Sequence, residues 1–310
     1  MILPLLEVVL PVFIIVGAGY CTVRFKILTD LEINAVLKFT QTIGIPIFLF
    51  LSMLTLDLKK VFNWEILTSY YLGAIICFLL GIVGSKKYLN CSNSGATVIG
   101  FNVLFCNAVL LGLPITTLAY GEQSISINLG IISVNAPICY FIGISFMEFT
   151  NKKSRNFHQV TINILKTITS NNITMGLILG LLFNVIEIQL AQPIYQALSL
   201  ISIGALSTAL FSLGGVLVAY NLTKNLSKII LIIFLSLFIH PVITMYVGSF
   251  YFTIPSDILK NAILTSAMGP GINAFIFASI YKIEMEVTAS AILICTPISI
   301  FTSLLWMSIF

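Results

Sequence analysis

Two hydrophobic stretches interrupted by glycine, proline and asparagine constrain this chain more than any other feature. The first, NAVLLGLP, runs from Asn107 to Pro114, and the second, AMGPGIN, runs from Ala267 to Asn273. Proline has no N–H and its ring collides with the carbonyl four residues earlier, so Pro114 and Pro270 each predict a break in a helix. Broken backbone within a bilayer is tolerated only where protein or a cavity surrounds it, and paired breaks in two halves of a chain indicate a transporter binding site.

The composition places almost the whole chain in a membrane. Of 310 residues, 58% are hydrophobic and 8% are charged, whereas about 25% are charged in an ordinary soluble domain. A helix needs about 20 apolar residues to cross the hydrocarbon core, and the sequence divides into ten such stretches. We therefore predict an all-α polytopic membrane protein with ten transmembrane helices, at residues 3–23, 33–54, 65–84, 97–120, 126–149, 172–189, 197–220, 229–252, 257–281 and 287–309.

The predicted helices divide into two sets of five at a basic, polar segment, residues 151–171. Because five is odd, the second set enters the membrane in the opposite sense to the first. The two breaks fall in the fourth helix of each set, which is the position expected of related halves. We predict two inverted five-helix repeats, residues 1–150 and 172–310, joined by a cytoplasmic loop.

The basic residues predict an orientation. Cytoplasmic loops carry an excess of Lys and Arg, and here the loops after odd-numbered helices hold most of them. Both termini are therefore expected outside the cytoplasm, and the net charge of +4 reflects topology rather than a nucleic-acid partner. The side assigned to the cytoplasm holds Arg24, Lys26, Lys38, Lys86, Lys87, Lys152, Lys153, Arg155, Lys166, Lys224, Lys228 and Lys282, and the other side holds Lys59, Lys60 and Lys260.

The titratable side chains limit the mechanism. Carboxylates lie in predicted loops or at helix ends and none falls clearly at mid-membrane, which disfavours a relay of buried acids. His240 is the one group there that could change charge near neutral pH. Two roles stay open for it, a hydrogen bond to a neighbouring helix and proton coupling.

Neutral amides and helix ends remain as ligands at mid-depth. Asn107 and Asn273 lie beside the two breaks, and Asn135 lies in the predicted fifth helix. The second half of each broken helix is expected to begin at Pro114 or near Gly271, with unsatisfied N–H groups facing inward. Such N-termini carry about +0.5 of an elementary charge and bind anions, so the pattern predicts an anion site without a fixed cation.

The small residues and the cysteines are interpreted as packing residues. Gly17-Ala18-Gly19 and Gly214-Gly215 predict close approach of helices. The six cysteines form no CxxC pair, so neither a disulfide framework nor a zinc site is predicted, and no motif indicates a cofactor.

At the breaks and at several further motifs, the sequence resembles the auxin efflux carrier family, which includes plant PIN-formed carriers and bacterial permeases for malate and malonate. The resemblance covers essentially the whole chain. The matching motifs are Asn107 followed seven residues later by Pro114, Tyr120-Gly121-Glu122, Leu210-Phe211-Ser212-Leu213-Gly214-Gly215, His240-Pro241, Gly271-Ile272-Asn273-Ala274-Phe275 with Ala278, and Thr296 with Trp306.

The resemblance implies a fold and a site. Broken helices 4 and 9 would cross at their breaks, helices 1, 2, 6 and 7 would form a scaffold, and the others would form a transport domain that moves like an elevator in a homodimer. It places the protein in the bacterial inner membrane. The implied substrate-binding residues are Asn107, Gly112, Pro114, Asn135, Gly269, Pro270, Gly271 and Asn273.

The predicted function is secondary transport of small organic anions, mono- or dicarboxylates such as malate or malonate. Two rivals stay open: a sodium-coupled symporter of the bile-acid type, which needs several oxygen ligands clustered at the crossover, and a non-transporting membrane sensor. An intramembrane enzyme is disfavoured, because the sequence contains no HExxH motif and no paired aspartates at mid-membrane.

Overall fold

The computed structural model describes residues 2–55, 62–150, 169, 172–219 and 225–310. Most of the predicted connecting loop, and the basic residues Lys59, Lys60, Lys152, Lys153, Arg155, Lys166 and Lys224, lie outside these ranges. The described residues form twelve helices: α1 (Ile2–Arg24), α2 (Asp30–Leu54), α3 (Trp64–Leu89), α4 (Asn93–Leu104), α5 (Ala108–Tyr120), α6 (Gln123–Thr150), α7 (Asn172–Val185), α8 (Gln192–Leu217), α9 (Leu226–Tyr251), α10 (Ser256–Ser266), α11 (Ile272–Tyr281) and α12 (Met285–Met307).

The helices confirm an all-helical, multi-pass membrane protein. Six of those described are each long and apolar enough to cross a bilayer, namely α2, α3, α6, α8, α9 and α12. The predicted fourth and ninth spans are each divided into two helices, α4 with α5 and α10 with α11. The predicted sixth span is shorter than expected, because α7 ends at Val185 and a turn follows.

Three of the prolines that lie within continuous helices each follow a π-helical turn. The turns cover Thr40–Gly44, Ala108–Gly112 and Leu235–Ile239, and each ends two residues before a proline. In each case the residue just before the proline donates its N–H to the carbonyl five residues earlier. The wider turn thus accommodates a residue that cannot donate, and the chain passes the proline without a break.

The predicted small-residue contacts are present between α1 and α8. A Cβ built on Gly19 would lie 1.9 Å from the carbonyl oxygen of Phe211, and one built on Gly214 would lie 1.9 Å from that of Val16. A second pair, α2 and α7, packs in the same way: a Cβ built on Gly176 would lie 2.4 Å from the carbonyl oxygen of Pro46. These two helix pairs pack backbone to backbone, as glycine allows.

The remaining helices enclose the two breaks. The main core cluster contains buried side chains from α3, α4, α5, α6, α10 and α11, and α8 adds Ala205, Ala209, Leu210 and Leu213. Helix α3 lies against α9, where a Cβ built on Gly73 would lie 2.9 Å from the His240 ring. The broken segments are therefore surrounded by protein rather than by lipid, as unpaired backbone requires.

Candidate functional site

The two breaks lie against each other. The N–H of Asn107 donates to the carbonyl of Gly269 at 2.8 Å, and the N–H of Gly271 donates to the carbonyl of Phe105 at 3.3 Å. Cys106 and Pro270 thereby form an isolated antiparallel bridge. Each interruption supplies hydrogen-bond partners to the other, so the cost of unpaired backbone at membrane depth is avoided.

The first break does not lie at Pro114, and that prediction was wrong. Helix α4 ends at Leu104, the chain is extended through Cys106, and α5 begins at Ala108. Pro114 lies one and a half turns inside the second half-helix, after the π-helical turn, so the N-terminus is set by Asn107 instead. The second break lies where the sequence predicted it, with α11 beginning directly after Gly271.

Asn107 combines two roles at the crossing. Its Oδ1 accepts a hydrogen bond from the N–H of Leu110 at 3.2 Å and so caps α5. Its Nδ2 has no partner, although Asn107 is only 4% exposed. A buried donor without an acceptor is costly, and a ligand oxygen is one way to satisfy it.

Glycines keep the two breaks close. A Cβ built on Gly271 would lie 3.2 Å from the Cα of Asn107, and one built on Gly269 would lie 2.4 Å from the Cβ of Cys295. A Cβ built on Gly112 would lie 3.3 Å from a methyl of Thr265. Of the predicted site residues, Gly271 therefore lies directly against Asn107, and at Gly269 a larger residue would displace α12.

The other two asparagines point to tyrosine hydroxyls. Tyr140 donates to Oδ1 of Asn273 at 3.3 Å, and Tyr71 donates to the Ile131 carbonyl at 2.6 Å and more weakly to Oδ1 of Asn135 at 3.4 Å. Both tyrosines were absent from the sequence-based site. The only available signal was their polar tip within an apolar helix, which many packing tyrosines share.

A further polar contact connects the crossing to His240. The Tyr70 hydroxyl and the Cys106 thiol hydrogen-bond at 2.7 Å, and Nε2 of His240 lies 3.1 Å from the carbonyl of Tyr70. Because a carbonyl only accepts, Nε2 carries the proton, and His240 makes the hydrogen bond to a neighbouring helix that the sequence allowed. Its Nδ1 is buried without a partner.

The site contains no formal charge. Among the described residues, none of the buried ones is Lys, Arg, Asp or Glu. The electrostatic potential at the crossing therefore comes from backbone dipoles. Helices α5 and α11 both begin there. Each of these two N-termini carries a partial positive charge, whereas the C-termini of α4 and α10, which also lie at the crossing, carry a partial negative charge.

Two broken helices that cross inside a multi-pass helical protein are typical of membrane transporters. Comparison with protein families agrees: residues 4–307 match the membrane transport protein family. The chain belongs to this family, which is that of the auxin efflux carriers, and it is a transporter rather than an enzyme. No curated protein matches the chain.

Proposed function

We propose that this transporter carries small organic anions, mono- or dicarboxylates such as malate or malonate, and binds them at the crossing of α4/α5 with α10/α11. The observation that carries the proposal is the buried, unpartnered Nδ2 of Asn107 at the start of α5. A carboxylate there would accept from this amide while lying at two helix N-termini. Asn273 and Asn135, with Gly112, Pro114, Gly269, Pro270 and Gly271, would complete the site.

The absence of a buried cation among the described residues supports a weakly held, exchangeable anion. A transporter must release its cargo, and a buried Arg or Lys would hold a carboxylate more tightly than neutral donors do. Helix dipoles and amides supply attraction without a permanent charge that would need another partner when the site is empty.

We further propose ten spans in two inverted repeats, residues 1–150 and 172–310. The packing supports this arrangement: the first helix of each half packs on the second helix of the other, as α1 on α8 and α7 on α2. The third helices, α3 and α9, also pack together, and the fourth helices cross at their breaks. In the alternating-access mechanism, α1, α2, α7 and α8 would stay fixed in a homodimer while the others move as an elevator.

The function is tested by uptake of labelled anions into proteoliposomes. Malonate and malate should accumulate above protein-free vesicles, and a neutral analogue such as malonamide should not compete. Uptake that responds equally to malonamide and malonate would contradict an anion site at the helix N-termini.

Orientation is a separate part of the proposal. We expect a bacterial inner-membrane protein with both termini outside the cytoplasm, because of the distribution of Lys and Arg in the sequence. A cysteine added after Phe310, in a variant without native cysteines, should react with an impermeant maleimide on intact cells. Labelling only after lysis would show the opposite topology.

A non-transporting sensor would show no uptake, so the same assay distinguishes it from a transporter.

Proton coupling through His240 is tested by His240→Gln, in which the amide can still donate to the carbonyl of Tyr70. Because His240 makes a structural hydrogen bond, we expect the pH profile of uptake to be unchanged in this variant. A profile that becomes flat would assign coupling to His240.

A further inference from the structure

The crossing brings together two kinds of helix end. Helices α5 and α11 begin there and present N–H groups, whereas α4 and α10 end there and present carbonyl oxygens. At the donor ends, the starts of α5 and α11, Nδ2 of Asn107 is buried without a partner and no side chain caps α11. At the acceptor ends, where α4 and α10 stop, the carbonyls of Phe105 and Gly269 accept one backbone N–H each, and that of Leu104 accepts from the Cys139 thiol at 3.6 Å. Because a carbonyl oxygen has two lone pairs, these groups can accept further hydrogen bonds.

Formal charges in the described residues lie away from the crossing. No buried residue among them is Lys, Arg, Asp or Glu. The charged residues of helices α3, α9, α10 and α12 occupy the first two turns or the last turn, namely Glu65, Lys86, Lys87, Lys228, Asp257, Lys260 and Glu286. On α10 these are the turns opposite to the crossing, which the last turn of that helix reaches. A ligand at the crossing therefore meets no formal countercharge among the described side chains.

The titratable groups that pack around the crossing are neutral as well. They are thiols and phenols, which are uncharged at and below neutral pH. They comprise Tyr70, Tyr71, Cys106, Cys139, Tyr140 and Cys295. His240 lies further away, where its Nε2 donates to the carbonyl of Tyr70 at 3.1 Å. Within the described residues, a change of charge at acid pH is thus left to His240 or to the ligand itself.

A small dicarboxylate would bring two charges into this place. In malonate a single carbon separates the two carboxyl groups, so both must lie within the crossing when one of them accepts from Asn107. The donor ends attract the first carboxylate, whereas the acceptor ends would repel a second one, because they carry partial negative charge. A second carboxyl that keeps its proton is neutral and is a hydrogen-bond donor, which matches the carbonyl oxygens of Phe105 and Gly269.

We propose that the crossing binds a dicarboxylate as its monoanion, with one carboxylate at the donor ends and one protonated carboxyl at the acceptor ends. The inference rests on the anion function proposed above and specifies the ionic form that the site accepts. Burial without a countercharge and the like charge of the first carboxylate both favour the neutral form of the second carboxyl. A monocarboxylate meets the same requirement without binding a proton.

The consequence is proton transport without a titratable side chain. The substrate takes its proton from water on one side of the membrane and returns it to water on the other side. One proton and one net negative charge therefore cross with each dicarboxylate. His240 keeps its structural hydrogen bond to the carbonyl of Tyr70 throughout.

The test is equilibrium binding of labelled malonate and labelled malonamate to the purified protein, over a pH series above the second pKa of malonate. Malonamate is the monoamide, which has the size of malonate but one negative charge throughout the series. The apparent Kd of malonate should fall about tenfold for each pH unit of acidification, because the fraction present as the monoanion rises by that factor. The Kd of malonamate should not change with pH, and near neutral pH it should be the lower of the two.

Two variants sharpen the comparison. Asn107→Ala should weaken both ligands by the same factor, since each has one carboxylate for the Asn107 amide. His240→Gln should keep the pH dependence of malonate binding, since the proton is on the ligand. A malonate affinity that does not change with pH, an equal pH dependence for both ligands, or a dependence lost in His240→Gln would each overturn the proposal and leave the anion site standing. Binding of neither ligand to the wild type would reject the anion site itself, and this proposal with it.

Discussion

The two breaks fall in the predicted fourth and ninth spans, yet they are built differently. The first ends in a side-chain cap, Oδ1 of Asn107 accepting from Leu110, and its proline lies seven residues further along. The second contains Gly269 and Pro270 within the break, and no side chain caps α11 after Gly271. One break is thus set by a cap and the other by residues that cannot continue a helix.

A proline therefore does not by itself decide where a membrane helix ends. Pro46, Pro114 and Pro241 all follow π-helical turns in continuous helices. The helix ends where another segment offers backbone partners, as Gly269 and Phe105 do here. The asymmetry also predicts unequal roles, because the Nδ2 of Asn107 is buried without a partner, whereas Asn273 is only partly buried and already hydrogen-bonds to Tyr140 through its Oδ1.

The largest expected effect is at Asn107. A hydrogen bond to a charged group contributes about 1.5–3 kcal/mol, so Asn107→Ala should raise the dissociation constant for a carboxylate roughly 10- to 150-fold. Asn107→Asp should bind worse still near neutral pH, because it puts a like charge beside the substrate, and should recover partly on acidification. Equilibrium binding of labelled malonate measures both, and native affinity in both folded variants would make Asn107 a packing residue.

Among the glycines of the crossing, Gly269 should be the most sensitive position for stability. Gly269→Ala places a methyl group 2.4 Å from the Cβ of Cys295, and overpacking of this kind costs about 1–3 kcal/mol. Gly17→Ala is the control, because a Cβ there meets nothing within 4 Å. Thermal melting in detergent should show a lower midpoint for Gly269→Ala only. Equal midpoints for the two variants would mean that the crossing shifts to accommodate the added methyl group at little cost.

Asn273 should matter less than Asn107. Loss of an ordinary hydrogen bond costs about 0.5–1.5 kcal/mol, so Asn273→Ala should weaken malonate binding roughly 2- to 12-fold. Tyr140→Phe distinguishes loss of the Asn273 amide from loss of its hydrogen bond to Tyr140, since it removes that bond while leaving the asparagine in place. If Asn273→Ala weakened binding more than Asn107→Ala, then Asn273 in the second break would make the principal contact with the substrate.

Pro114 should have the smallest effect. Because α5 is already continuous through it, Pro114→Ala should leave malonate affinity within about threefold of wild type. Pro46→Ala is the matched control, since Pro46 also follows a π-helical turn but lies in α2, away from the crossing. A large loss of affinity in Pro114→Ala alone would show that proline, and not the cap, positions the half-helix.

Much of this architecture follows from short-range patterns. Apolar length predicts the membrane-crossing helices, and Gly19 and Gly214 predict the contact of α1 with α8. The start of α5 could not be predicted, because the partner of the Asn107 N–H is the carbonyl of Gly269 in the other half of the chain.

In the proposed site, a substrate carboxylate accepts a hydrogen bond from Nδ2 of Asn107. Dipolar recoupling NMR between ¹³C-carboxylate malonate and ¹⁵N-labelled asparagine side chains measures this contact directly. An N–H···O distance of about 2.7–3.2 Å places carbon and nitrogen within roughly 4 Å. We expect strong dephasing in the wild type that falls sharply in Asn107→Ala at saturating malonate. Dephasing that is absent, or unchanged by the substitution, would show that Asn107 does not contact the carboxylate.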